Sequence, residues 1–474
     1  MAPGPGRILA AVIGGLEALI AAAEPYGGLF PSLLGRRSGA MLTDLPPPVP
    51  GQRQGDRSHR GSNLIHDEAA LLTLYALART EGRPDLAAAA DQYLRRFATH
   101  CTRTATGLFP WGEHAYWNLD TDAVGDSRLI SRPDAAPGAI HDHLRQTPLW
   151  LWEKLEDAEP GCAARFAAGL DYHWVEGEPR EYIRHAHLER REHLRRGARS
   201  CDFPRHGGFY ILDWAFAHAR DGRREWIRQI EAMVDYWWPR RDADNLLLIE
   251  SRSPVTDTRF HNINAPGQTL SLGTSLLEAA PLVAATDPGL AATMRQRAGA
   301  YIDGFLAAPH DLEAGVYAIL ATREPAAVTE AMPVWGSVYG VWPACYVALT
   351  ALCAHRLTGR EDLLGWAMAV GQRYARQDLP PDAAVPAMDA GLGLGLLADL
   401  HDVTGEDAWL QGARSLAGRL LETYCGSGPL PRGASGINWY ESQMGPSFLL
   451  HGMARLALLA QGGDCPLAAD YTAR

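Results

Sequence analysis

Three short tracts carry residues whose types and spacing suit chemistry. In CDFPRHGGFYILDW, Arg205 and His206 stand before two glycines and an aromatic, at the start of an amphipathic pattern. Glycine permits tight turns and close approach of backbone to a ligand, so the pair is expected at the mouth of a helix rather than along its buried stripe. The loop GLFPWGEHAYWNLDTD offers Trp111, Glu113, His114, Tyr116 and Asp120. In AIHDHLRQTP, His141 and His143 lie two apart, and in an extended segment they project to one side with Asp142 turned away. Neutral imidazoles suit transition metals, and a carboxylate completes or orients such a shell. No HExxH pattern or cysteine cluster accompanies them. The bland alternative is hydrogen-bonded loop histidines. His185, His187 and His193, in EYIRHAHLERREHLRR, read as a solvated helical face.

Side-chain donors occur in three further loops: Arg60 and Asn63, then Asn262 and Asn264, then Asn438 with Tyr440. They suit the hydroxyls and carboxylate of a sugar acid, arginine through paired hydrogen bonds. The competing reading is capping and turn formation, which asparagine does routinely.

These loops need a scaffold, and a helical unit recurs along the chain. LLTLYALARTEGRPDLAAAADQYLRRF, LDWAFAHARDGRREWIRQIEAMVDYW, YVALTALCAHRLTGREDLLGWAMAVGQRYA and LGLLADLHDVTGEDAWLQGARSLAGRLLETY each pair two helices across a Gly- or Asp-bearing connector. Apolar residues recur at three- and four-residue intervals, a helical period. First members are apolar nearly all round and second members carry Arg and Glu on one face, which suits an inner and an outer ring. The expectation is an all-α (α/α) toroid of six or seven hairpins forming a single domain over residues 1–474, with an N-terminal helix and Pro-rich connector (1–50) packed on it. Gly391, Gly393 and Gly395 in GLGLG follow no strand, so helix packing explains them better than nucleotide binding. Long Gly-, Pro-, His- and Trp-rich segments (about 40–66, 101–146, 171–208, 250–268, 325–340 and 426–446) would gather at one end of the ring and build a concave site.

Composition bounds the function. The 474 residues carry a formal net charge of −11, against a nucleic-acid footprint or attraction to anionic lipid. Lys154 is the single lysine, which excludes a phosphate-loop lysine. Fourteen tryptophans are many, though each is presumed core first. Seven scattered cysteines without a CxxC pair fit reduced thiols and a cytoplasmic protein. Glu17 interrupts the apolar N-terminal run, so an amphipathic helix is expected there rather than a leader or a membrane span.

The W-G-x-H loop, the HxH tract and the R-H-G-G-F-Y helix start together resemble metal-dependent pectate lyases with an α/α toroid and their uncharacterised bacterial relatives, as does the closing NWYESQMGPSFLLHGMARLAL. The resemblance runs from about residue 60 onward. It implies a divalent transition metal such as Mn or Zn held by His114 and His206, with His141 and His143 as further ligands, and β-elimination on a uronic acid. Arg205 would be the base or stabilise charge, Tyr210 would transfer the proton, and Arg60, Asn63, Trp111, Asn262, Asn438 and Tyr440 would hold an acidic oligo- or polysaccharide. Where the family carries a His-Glu pair, this chain has GAIHDH, so either His141 or Asp142 takes the acid's place. Two other enzymes suit the same ring: a glycoside hydrolase on uronyl oligosaccharides using Asp120, Asp142 or Glu441, and a sugar epimerase relying on a pair of histidines. A helical-repeat scaffold predicts short connectors on both faces, unlike the long loops here.

Overall fold

The computed structural model describes residues 3–142, 145–175, 181–194, 203–249, 262–337, 342–462 and 465–468. Its helices are α1 (Pro5–Ala23), α2 (Leu64–Thr80), α3 (Pro84–Arg96), a single turn α4 (Arg128–Ser131), α5 (Leu149–Ala158), α6 (Cys162–Gly169), α7 (Pro204–Asp221), α8 (Arg224–Trp237), α9 (Pro266–Val283), α10 (Pro288–Ala307), α11 (Ala344–Thr358), α12 (Glu361–Arg376), α13 (Ala387–Thr404), α14 (Asp407–Leu420) and α15 (Pro446–Ala460). Proline in the first turn opens α3, α7, α9, α10 and α15, where its missing N–H costs nothing. Gly222, Gly359 and Gly405, all left-handed, end α7, α11 and α13.

Apolar patterning sorts these helices into two rings. In α7 every residue from Pro204 to His218 is buried, and in α13 every residue from Ala387 to Leu400. Outer partners such as α3, α8 and α12 bury one stripe only. Consecutive inner helices α7, α9, α11, α13 and α15 pack side by side, and α15 meets α2 to close an all-α toroid. Gly391 lets α13 and α15 approach: a Cβ there would stand 2.3 Å from the Phe448 backbone. Gly207 and Gly208 serve the same purpose, against Trp237 and Ser275, and not the approach to a ligand that the sequence suggested.

The segment Pro5–Tyr26 is long and apolar enough to cross a membrane; here Leu9, Val12, Leu16 and Leu19 are buried and α1 packs on α15. The long loops carry short strands. Gly61–Ser62, Ala115–Asn118 and Ala123–Asp126 form one antiparallel sheet, Ile140–His141 pairs with Ala186–His187, and Leu33–Gly35 pairs with Trp439–Glu441.

Candidate active site

Asp142 lies at the centre of a buried polar cluster built by five separate segments. Ile140 pairs with His187 and His141 with Ala186, so the next rung of the ladder sets Asp142 opposite His185. His185 Nε2 is 3.3 Å from Asp142 Oδ2. His114, which precedes the strand Ala115–Asn118, brings Nε2 within 3.8 Å of the same oxygen. His206, in the first turn of α7, lies 3.7 Å from Oδ1, and Arg184 places Nη1 3.7 Å from Oδ2. Asp56, in the turn Gln54–Asp56, and Glu113 flank His114 at 3.5 and 3.7 Å.

One glycine makes this convergence possible. Gly112 has φ +96, and a Cβ on it would fall 1.9 Å from the Asp142 carbonyl oxygen. The tryptophan–glycine loop therefore lies directly on the Asp142 backbone, which seats Glu113 and His114 against that carboxylate. Asn63 secures the loop from the other side: its amide donates to the Gly112 carbonyl at 2.9 Å and its oxygen accepts from the Gly112 N–H.

Burial sets the charges. It drags His114 and His185 each down to about 4, leaving both imidazoles neutral at pH 7. Burial and then the neighbouring Glu113 push Asp56 up to about 8. Glu113 is raised by burial and by Asp142. Burial alone would raise Asp142 too, but Arg184, His185 and His206 overcome it and hold the carboxyl well below its ordinary value.

Beside the cluster a cavity of about 100 Å³ opens to solvent. Asp56 and Glu113 form its polar wall, and Arg53, Arg145, His66 and Trp342 line the rest. Trp342 stacks on Tyr346 with ring centroids 5.0 Å apart, and the Arg205 guanidinium sits 5.4 Å from the Trp342 ring. Arg205 thus borders the cavity through Trp342.

The structure brings His114, Arg205 and His206 to this site and leaves other nominated residues elsewhere. His141 is buried with both ring nitrogens engaged: Trp111 Nε1 donates to its Nε2 at 3.1 Å, and its Nδ1 meets His173 Nε2 at 2.9 Å. Because the indole can only donate, the chain runs Trp111, His141, His173 and ends on the Ile183 carbonyl. Trp111 is core, packed among Phe97, Phe109, Trp152 and Phe166. Tyr210 is fully buried, its hydroxyl 3.3 Å from His173, and burial pushes its pKa well above the ordinary value. Such a phenol is poorly placed to exchange a proton with a substrate. Arg60 pairs with Asp120 at the surface. Asn262 caps the turn at Arg323 and Glu324, Asn438 accepts from Arg36, and Tyr440 is buried. Glu441 is clamped by Arg57 through two hydrogen bonds of 2.6 and 2.9 Å. His143 lies outside the described residues.

Asp142, expected to turn away, faces the cluster, and His185, read as part of a solvated helical face, is its partner. The segment around His185 is extended, with Glu181–Tyr182 and Ala186–His187 in strands, so period two replaces period 3.6.

No family model and no curated protein matches this chain. Solved structures do. An α-1,2-mannosidase from Trichoderma reesei aligns over 96% of this chain and 94% of its own with a TM-score of 0.53 at 14% identity. A sugar epimerase from a ruminal bacterium covers 97% and 99% at 0.47 and 11%. A glycoside hydrolase family 76 mannosidase from Bacteroides thetaiotaomicron covers 96% and 99% at 0.44 and 10%. At these identities the likeness shows the toroid fold. These and the similar structures of cellobiose 2-epimerase and D-mannose isomerase are hydrolases, epimerases and an isomerase, which goes against the expectation of a carbon–oxygen lyase; the similarity is to toroid enzymes generally and not to pectate lyases in particular.

Proposed function

We propose that this chain is a carbohydrate-processing enzyme, a glycoside hydrolase that takes an acidic oligosaccharide into the cavity beside Asp142 and holds a divalent transition-metal ion in its polar cluster. One observation carries the reading. Asp142 Oδ1 and Oδ2, His114 Nδ1, His185 Nε2, Glu113 Oε2 and Asp56 Oδ1 are all buried, and none makes a well-aligned hydrogen bond among the described residues; the nearest approach is His185 Nε2 to Asp142 Oδ2 at 3.3 Å. Orphaned buried polar atoms in such number call for an occupant. His114, Asp142 and His185 each offer one ligand atom, all within 4.8 Å of one another. Two neutral imidazoles and one carboxylate are a donor set that fits a transition metal, and these three residues would hold it. Bound there, the ion supplies a Lewis acid.

The remaining chemistry belongs to side chains on the cavity wall. Arg53 and Arg145 present guanidinium groups to a sugar carboxylate. Trp342 offers a flat apolar face to a pyranose ring, and Arg205 beside it adds positive charge where the leaving group departs. Glu113 and Asp56 are the two carboxyl groups that line the cavity, the pair that glycoside hydrolysis requires for proton donation and water activation.

A second reading, epimerisation, is favoured by the two neutral imidazoles of His114 and His185, whose ring centroids are 5.1 Å apart. A panel of neutral and uronate oligosaccharides, assayed with and without chelator, decides between them. Hydrolysis gives new reducing ends, is lost on chelation, returns with Mn or Zn, and falls about 100-fold or more in Glu113→Gln. A product of unchanged chain length selects epimerisation. No turnover of any glycan by the metal-loaded protein overturns the proposal.

A further inference from the structure

Resting on that reading, we infer that a second groove, lined by Trp439 on the outer side of the Val49–Pro50 ridge, binds the sugar rings of a longer oligosaccharide that extend beyond the central cavity. The groove is open to solvent and has a volume of about 390 Å³. Val49 and Pro50 line both it and the central cavity, so the two adjoin across a single ridge.

The surface is built for a sugar ring. The strand Trp439–Glu441 alternates, with Tyr440 sent into the core and Trp439 left half-buried on the groove side. Trp439 packs on the small cluster of Val49, Ala434, Ile437 and Met444 while still lining the groove. Its indole N–H donates to Glu441 Oε2 at 2.9 Å, which fixes the ring plane. The prolines 47, 48 and 50 form a stiff wall, and the exposed Asp382 supplies acceptors for hydroxyls. An aromatic platform beside a few polar groups is what a pyranose needs, one apolar face and a hydroxyl rim.

Glu441 ties the two sites together. The same carboxylate that orients Trp439 accepts from Gln52 at 2.6 Å, and Gln52 lines the central cavity. Arg57 clamps it through two further bonds. The outer ring and the inner wall therefore share one rigid anchor, so a chain in the cavity meets Trp439 without a costly rearrangement.

The test uses metal-loaded full-length protein and a uronate oligosaccharide series of two to six residues. kcat/KM from reducing-end release is measured at each length, with anisotropy of a fluorophore-labelled hexasaccharide for binding. Trp439→Ala is expected to lower kcat/KM and affinity for the hexasaccharide roughly tenfold, as loss of one aromatic anchor does, with the disaccharide unaffected. Trp439→Phe, which keeps an aromatic face, retains most of both. Ala383→Tyr, a substitution at an exposed position of the groove, blocks it from the opposite wall and reproduces the length-dependent loss without touching the Glu441 anchor. Equal losses on short and long substrates in both variants, or none on either, would overturn the outer subsite. Wild-type protein that neither binds nor cleaves any length would instead overturn the parent reading, which separates the two failures.

Discussion

Replacing Gly112 by alanine is the most direct probe of how the candidate site is assembled. The added Cβ would meet the Asp142 carbonyl oxygen at 1.9 Å. Carbon–oxygen contact begins at roughly 3.3 Å, so the tryptophan–glycine loop and the Asp142 segment must separate by roughly 1.4 Å. The left-handed φ of +96 adds a backbone penalty, about 1–2 kcal/mol for a residue with a side chain. Together with the lost fit, Gly112→Ala is expected to cost about 3 kcal/mol, the upper range of single substitutions. Displacement on this scale moves His114 and Glu113 away from Asp142, and a 1 Å error in a catalytic constellation costs about 100-fold in rate. Gly359→Ala is the matched control: its φ is +71 and nothing lies within 4 Å of its Cβ, so only the backbone term of about 1–2 kcal/mol applies. Urea titrations of both variants read the stability difference at constant m-value, and metal content with turnover reads the site. If Gly112→Ala matches the control in stability and keeps wild-type metal content and turnover, the account of this loop is wrong.

Arg455 and Asp399 form a buried ion pair with Nε 2.5 Å from Oδ1, at 2% and 0% side-chain exposure. Arg455→Ala should destabilise by about 3 kcal/mol because it leaves the buried Asp399 carboxylate with only the longer 3.3 Å contact to Arg356, and Arg455→Met with Asp399→Leu should recover much of that in thermal unfolding. Acid sensitivity follows from two histidines far along the chain from the cluster. Burial holds His310 and His451 each at about 4 in the folded protein, below the unfolded value near 6.5. A base depressed by folding contributes stability that is full above the unfolded pKa and is lost as pH falls from about 6.5 toward 4, up to about 3 kcal/mol for each residue. The difference in denaturant midpoint between wild type and His451→Gln should shift against the wild type as pH falls across that window, and a difference that does not change with pH would refute the linkage.

Much of the scaffold was legible in the chain itself. Repeating helical pairs, prolines in first turns and left-handed glycine caps are local signals, and nearly all-apolar inner members against one-striped outer members imply two concentric rings. The tracts holding Glu113, His114, Asp142, Arg205 and His206 were also visible, because clustered polar residues between apolar helices stand out. Which side chains meet was not legible. His141 and Asp142 are neighbours, and the choice between them turned on the register of a two-residue ladder with Ala186–His187, which also brought in His185 from a segment that reads equally as helix. Asn63, Trp111 and Tyr210 carry suitable groups, but their partners lie tens of residues away, and only those partners show that the groups are already used for packing. Tyr440 points into the core and Trp439 toward the groove for the same reason: residue type declares what a side chain can do, whereas strand parity and long-range contact decide which way it points.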